Sequence, residues 1–146
     1  MQFALPWLRL GLFALCLLPL LVRADYGDVL VSEISSIYDG DTFRVSIHNW
    51  PSVVGERIPV RIRGIDTPEL RGQCEEEKRQ ARAAKQFTVA ALRQAREIKL
   101  KKIERDKYFR LLAEVYVDGR NLGEELVRQG LARRYDGGSK AGWCRS

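Results

Sequence analysis

Apolar and polar residues alternate along the first half of the chain in the manner of β-strands. Phe43, Val45 and Ile47 are separated by polar residues, and the apolar positions of residues 57–63 also fall at every second place. Because successive strand side chains point to opposite faces, each segment is predicted to form a strand with one buried face. The β-branched segment 29–37 predicts a preceding strand, and Asp-Gly-Asp at 39–41 predicts a tight turn between the two.

The period of the pattern changes in the second half of the chain. Residues 75–97 contain no Gly or Pro, begin with three glutamates and place Ala84, Phe87, Ala91 and Ala95 on one stripe. This pattern predicts an amphipathic helix whose charges match its dipole. Residues 98–105 and 109–117 predict two further strands, residues 122–131 predict a short helix, and residues 136–143 have the composition of a loop.

This order of elements indicates an α+β fold that is mainly β. Five short strands, with a helix after strand 3 and a short helix after strand 5, suit a partly open Greek-key barrel of the oligonucleotide-binding (OB-fold) type. The long helix is expected to cap one end of the barrel. The strand ends near Asp41 and Asp66 are expected to open at the other end.

The amino terminus has the pattern of a secretory signal peptide. Arg9 precedes an apolar run over residues 11–22, and Val22-Arg23-Ala24 resembles a cleavage site, so residues 25–146 are expected to form the mature domain. An uncleaved membrane anchor is the alternative, but the run is shorter than the roughly 20 residues that a spanning helix needs. We therefore expect a secreted or periplasmic protein.

Charge and cysteine content narrow the picture further. Removing residues 1–24 removes Arg9 and Arg23 and no acid, which lowers the formal charge from +6 to +4. A basic surface attracts polyanions, although this balance is also common on other soluble proteins. Cys16 leaves with the signal peptide, and the two remaining cysteines of an exported chain, Cys74 and Cys144, are most simply one disulfide.

Candidate chemistry lies at the ends of two predicted strands. The carboxylates of Asp41, Asp66 and Glu69 can converge on one hard divalent cation such as Ca²⁺, which prefers oxygen ligands. Arg61 could hold a phosphate beside that cation. A metal, a carboxylate base and an arginine around a phosphate predict a site that cleaves phosphodiesters. Each short motif alone is common in turns and weak as an indicator of function.

In order, the motifs are specific. The residues at 38–42 (Tyr-Asp-Gly-Asp-Thr), 61–69, 106–110 (Asp-Lys-Tyr-Phe-Arg), 118–122 and 126–132 resemble the staphylococcal nuclease (thermonuclease) family along nearly all of the mature chain. The resemblance implies Ca²⁺ bound directly by Asp41 and Asp66 and by the backbone carbonyl of Thr67, with Glu69 acting through water. It also implies that Arg61 and Arg110 clamp the phosphate, and that Lys107 and Tyr108 lie on the substrate side.

The activity implied by the resemblance is Ca²⁺-dependent hydrolysis of DNA, and of RNA as well, that leaves 3′-phosphate ends. A monomer without a stable protein partner is expected. The chain departs from the family pattern at Phe109, where better-known members have Gly, and at Asp136, where a base-flanking tyrosine is usual. The alternatives are a catalytically inactive module that binds nucleic acid or protein, and a secreted structural scaffold.

Overall fold

The computed structural model describes residues 26–145, so the predicted signal peptide and Cys16 lie outside the described residues. Nine strands and three helices follow one another along this part of the chain. In order they are β1 (Val29–Leu30), β2 (Glu33–Ile37), β3 (Thr42–Ser46), α1 (Ser52–Gly55), β4 (Ile58–Ile62), β5 (Ile65–Asp66), α2 (Glu75–Gln94), β6 (Ile98–Arg105), β7 (Leu111–Val117), β8 (Arg120–Asn121), α3 (Leu122–Arg128) and β9 (Arg133–Arg134).

The main sheet has the strand order β1-β6-β7-β4-β3-β2, with β8 added beside β7. Strands β4 and β7 pair in parallel, and the other neighbours in this sheet pair antiparallel. The segment 29–37, predicted as one strand, is divided: β1 pairs with β6, whereas β2 pairs with β3. Because one short stretch of chain joins both ends of the sheet, the sheet curls into a barrel-like half-cylinder. The predicted OB-type α+β fold is confirmed.

The alternation seen in the sequence places the core inside this curled sheet. Phe43, Val45, Val60, Ile62 and Leu100 are almost fully buried. Burying apolar area at about 25 cal/mol per Å² is the main term that holds the sheet in its curled form. Helix α3 closes the core, since Leu122 and Leu126 also have almost no exposed surface.

Helix α2 packs against the turn between β2 and β3. Its Thr88 hydroxyl donates a hydrogen bond of 2.7 Å to the carbonyl oxygen of Gly40. A Cβ atom at Gly40 would lie only 2.8 Å from the Cβ of Ala84, so this close approach requires glycine. The expectation that the helix and the Asp41 turn occupy opposite ends of the barrel is therefore wrong: the helix supports that turn directly.

The carboxyl-terminal tail returns to the body of the protein. Strand β9, which the sequence pattern did not predict, pairs with β5. A disulfide joins Cys74, just before α2, to Cys144, with their Cα atoms 6.0 Å apart. This is the predicted pairing, and it fixes the tail beside the loop that follows β5. Within residues 26–145, no helix is both long enough and apolar enough to cross a membrane.

Candidate active site

Most of the predicted catalytic, metal-binding and substrate-binding residues lie around one cleft, of about 1120 Å³, at the ends of β3 and β4. Six of them contribute to its wall: Asp41, Arg61, Glu69, Lys107, Tyr108 and Arg110. Asp66 and Thr67 are buried beside this wall: Asp66 pairs with Arg61, and the Thr67 N–H donates to Asp41. The folded chain thus brings together residues that are up to 69 positions apart in the sequence.

Asp41 is held in place by its neighbours on three sides. One carboxylate oxygen, Oδ2, accepts the backbone N–H of Thr67 at 3.0 Å and lies 3.0 Å from Nη1 of Arg61. The other oxygen, Oδ1, accepts the Thr42 hydroxyl at 2.9 Å. These contacts fix the carboxylate in one orientation, as a directly coordinating ligand requires.

Arg61 lies between the two aspartates. Its Nη2 atom is 3.6 Å from Oδ1 of Asp66, and its Nη1 atom donates to the carbonyl oxygen of Ile62 at 3.0 Å. A buried carboxylate is costly unless a cation compensates its charge, and this guanidinium compensates two. Arg61 also reaches the cleft wall, so the same group can face a bound phosphate.

The tail adds two residues to the site that the sequence pattern did not single out. Lys140 Nζ lies 2.6 Å from Oδ1 of Asp66 and 3.6 Å from Oε1 of Glu69. Trp143 Nε1 donates to Oδ2 of Asp66 at 3.3 Å, and its ring stacks on the Arg133 guanidinium at 3.7 Å. Partial burial alone would lower the pKa of Lys140, but the hydrogen bond and charge of Asp66 outweigh it and raise the pKa.

Glu69 projects into the cleft from a loop that a second glutamate holds. The backbone N–H groups of Glu69 and Gln73 donate to the two carboxylate oxygens of buried Glu77, at 3.3 and 2.8 Å. Glu77 is therefore a positioning residue for the loop. In the sequence, this role was indicated only by the position of Glu77, a charged residue on the buried face of α2.

Arg110 is positioned by the turn that precedes it. Asp106 Oδ2 accepts Nε of Arg110 at 2.7 Å, while its Oδ1 accepts the backbone N–H groups of Tyr108 and Arg110. Partial burial by itself raises the pKa of Asp106, but these hydrogen bonds outweigh it and lower the pKa below its usual value. With Nε engaged, the two terminal nitrogens of Arg110 remain the groups available to a phosphate.

Asp39 is a further buried acid at the same turn. Its Oδ1 atom accepts the backbone N–H of Asp41 at 3.1 Å, which shapes the turn. Burial, reinforced by the negative charge of Asp41, raises the pKa of Asp39 to about 7.

The donor set suits a hard cation. Asp41 and Asp66 each offer buried carboxylate oxygens, and hard cations such as Ca²⁺ prefer carboxylate and carbonyl oxygens. Among the described residues, one trio has potential ligand atoms within 4.8 Å of one another, and it consists of Cys74, Glu77 and Cys144. The disulfide consumes both thiols of that trio, so it offers no thiolate to a metal. Asp41, Asp66 and Glu69 do not form such a trio, and Arg61 and Lys140 lie among their carboxylates.

Comparison with known proteins identifies the family. The family model described as "Staphylococcal nuclease homologue" matches residues 59–141, which is more than half of the chain. This protein belongs to the staphylococcal nuclease family. The match includes every predicted site residue except Asp41 and Cys144.

Curated relatives agree with this assignment. The chain is 38% identical over 104 residues to "Endonuclease YncB" of Bacillus subtilis (strain 168), an alignment that covers 65% of this chain and 43% of that protein. It is 29% identical over 147 residues to "Probable endonuclease lcl3" of Emericella nidulans, covering 82% of this chain and 50% of the relative. The corresponding protein of Pyrenophora tritici-repentis is 28% identical over 129 residues, covering 73% and 47%. The chain thus spans about half the length, or less, of these relatives.

Proposed function

We propose that this protein is an exported, Ca²⁺-dependent nuclease that hydrolyses phosphodiester bonds of DNA and RNA with little sequence preference and leaves 3′-phosphate ends. The observation that carries the proposal is the convergence of Asp41, Arg61, Glu69 and Arg110 on one cleft. Family membership and relatives named as endonucleases support the same reaction class.

The side chains divide the chemistry among them. Attack of water on a phosphodiester builds negative charge on the phosphorus oxygens, and preorganised cations stabilise that charge most effectively where it develops. Arg61 and Arg110 would supply this stabilisation, because a guanidinium stays charged and can bind two phosphate oxygens at once. Asp106 keeps Arg110 turned so that its terminal nitrogens are free for the phosphate.

Glu69 would remove the proton from the attacking water. A well-placed base contributes roughly 10²–10⁴ in rate. The backbone N–H of Glu69 donates to Glu77, and Lys140 Nζ lies 3.6 Å from the Glu69 carboxylate, so Glu69 has a defined position at the cleft. Asp41 and Asp66, with the carbonyl of Thr67, would hold Ca²⁺, which when bound supplies positive charge beside the phosphate.

Cleavage of labelled single-stranded DNA, duplex DNA and RNA, each with Ca²⁺, Mg²⁺ or chelator, tests the proposal. We expect the Glu69→Gln variant to lose turnover by at least about 10²-fold, because it removes the proton acceptor while keeping the shape of the side chain. Glu33→Gln, at an exposed position of β2, is the matched control. The assigned base is wrong if Glu69→Gln turns over at nearly the wild-type rate with saturating Ca²⁺.

Calorimetric titration with Ca²⁺ tests the ligands without relying on activity. Asp41→Asn or Asp66→Asn should each weaken Ca²⁺ binding strongly, since each removes a charged ligand from a site that has few. Unchanged affinity in both variants would refute the ligand assignment. If the wild-type protein binds nucleic acid but cleaves none of the three substrates under any condition, the inactive binding module is the correct description.

A further inference from the structure

A second groove, of about 440 Å³, lies directly beside the catalytic cleft. The two cavities share Tyr38, Thr42, Tyr108 and Arg110 as wall residues. The groove then continues over the outer side of β3 and β4, where Arg44 and Pro59 contribute. Tyr38 and Tyr108 therefore lie where the cleft and the groove adjoin.

The walls of the two cavities differ in charge. The cleft is lined by cations together with several carboxylates, the mixture that the proposed hydrolysis needs. Among the described residues, the groove is lined by Arg44 and Arg110, by apolar and hydroxyl groups, and by no carboxylate. A wall of this kind can hold a phosphate group but offers neither a metal ligand nor a base.

The two aromatic side chains shared by the cleft and the groove are exposed to solvent. Tyr38 is 59% exposed and Tyr108 is 65% exposed. Two cations also lie near the centre of the Tyr108 ring, with Nζ of Lys107 at 5.1 Å and Cζ of Arg110 at 5.3 Å. Exposed aromatic rings interleaved with cations are the usual means by which proteins bind single-stranded nucleic acid, because every base can stack on a ring.

We propose that this groove binds the nucleotide that flanks the cleaved phosphodiester in a single strand, with its base against Tyr38 and its phosphate at Arg44. Arg44 is exposed and uses Nη1 to donate to the carbonyl oxygen of Arg57 at 2.9 Å, which orients the guanidinium and leaves its other donors for the ligand. The strand must be single, because a base paired within a duplex cannot stack on a side chain. This inference rests on the proposed nuclease function and extends its substrate contacts beyond the cleft.

The test measures affinity in the Glu69→Gln background, where the substrate should survive. Fluorescence anisotropy with a labelled oligothymidine of about eight nucleotides and calorimetry with thymidine 3′,5′-bisphosphate give the two affinities. Arg44→Ala and Tyr38→Ala should each weaken the oligonucleotide about tenfold, the scale of one stacked base or one charge-assisted phosphate contact. Arg44→Ala should leave bisphosphate affinity unchanged, because Arg44 lines only the groove.

Matched controls separate the groove from general effects. Tyr26→Ala removes an exposed tyrosine that lines neither cavity, and Arg79→Ala removes an exposed arginine on α2; neither should change oligonucleotide affinity. Tyr38→Phe keeps the ring and should bind like the parent. Thermal melts of all variants establish that each one folds.

Three outcomes would overturn the inference. The first is oligonucleotide affinity that is unchanged in both alanine variants, and the second is an equal loss for oligonucleotide and bisphosphate in Arg44→Ala. The third is an equal loss for a blunt duplex, which would exclude the single-strand assignment. If wild-type protein cleaves DNA while any of these holds, the groove assignment fails and the nuclease function stands; if it cleaves nothing, the function itself fails.

Discussion

Replacing Phe109 by glycine should stabilise this protein. Phe109 has a φ of +62°, in the left-handed region that side chains with a Cβ rarely adopt. Its side chain is 81% exposed, so little packing offsets the backbone cost. The conformation is imposed by the turn: the Phe109 N–H donates to the Asp106 carbonyl at 3.0 Å, and its own carbonyl accepts Nη1 of Arg105 at 2.6 Å.

The expected gain is a difference between two opposing effects. Placing an L-residue in the left-handed region costs about 1–2 kcal/mol. Glycine relieves this strain, but it also stabilises the unfolded chain by about 0.4–1 kcal/mol, because it increases the entropy of that state. Phe109→Gly should therefore raise the free energy of unfolding by about 0.5–1 kcal/mol, which raises Tm by about 2–4 °C in a domain of this size.

Thermal and urea unfolding followed by circular dichroism provide the measurement. Phe109→Ala is the control, since alanine keeps the Cβ and the strain while removing the ring; its midpoint should stay close to that of the wild type. A glycine variant no more stable than the alanine variant would show that the positive φ carries no strain and would refute the reasoning.

Three further predictions concern groups that hold the site in place. Replacing Cys74 and Cys144 together by serine should lower the free energy of unfolding by at most about 4 kcal/mol in the loop-entropy model, given their separation of 70 residues; a loss below about 1 kcal/mol by denaturant titration would contradict it. Glu77→Gln should cost about 1–3 kcal/mol and reduce turnover, because its amide group would face a backbone N–H that the carboxylate accepts; unaltered stability and rate would exclude a positioning role. Asp106→Asn should destabilise the protein at neutral pH, and the difference from wild type should vanish as pH falls from about 5 towards 2, because a carboxyl group with a lowered pKa stabilises the fold above its unfolded pKa of about 3.9 and loses that effect on protonation. Urea titrations across this pH range measure the difference, and one that stays constant with pH would argue against the charge as its source.

The sequence by itself determined most of the local structure. Alternation around Phe43 and Val60 predicted β3 and β4, and the Gly-free, Pro-free run after Cys74 predicted α2. These predictions succeed because the period of apolar residues reflects which side of a strand or helix is buried. The pairing of Cys74 with Cys144 needed only a count of the cysteines that remain once the predicted signal peptide is set aside.

Only the tertiary structure decided how these elements meet at the site. Trp143 contacts Asp66 across 77 residues of sequence, and Lys140 lies beside Glu69. Helix α2 packs directly against the Asp41 turn instead of lying at the far end of the barrel. The groove beside the cleft likewise depends on Tyr38 and Tyr108, which are distant in the sequence, lining the same cavity. No periodicity records such contacts, because they depend on the path of the whole chain and on which buried charges must find a partner once the core has closed.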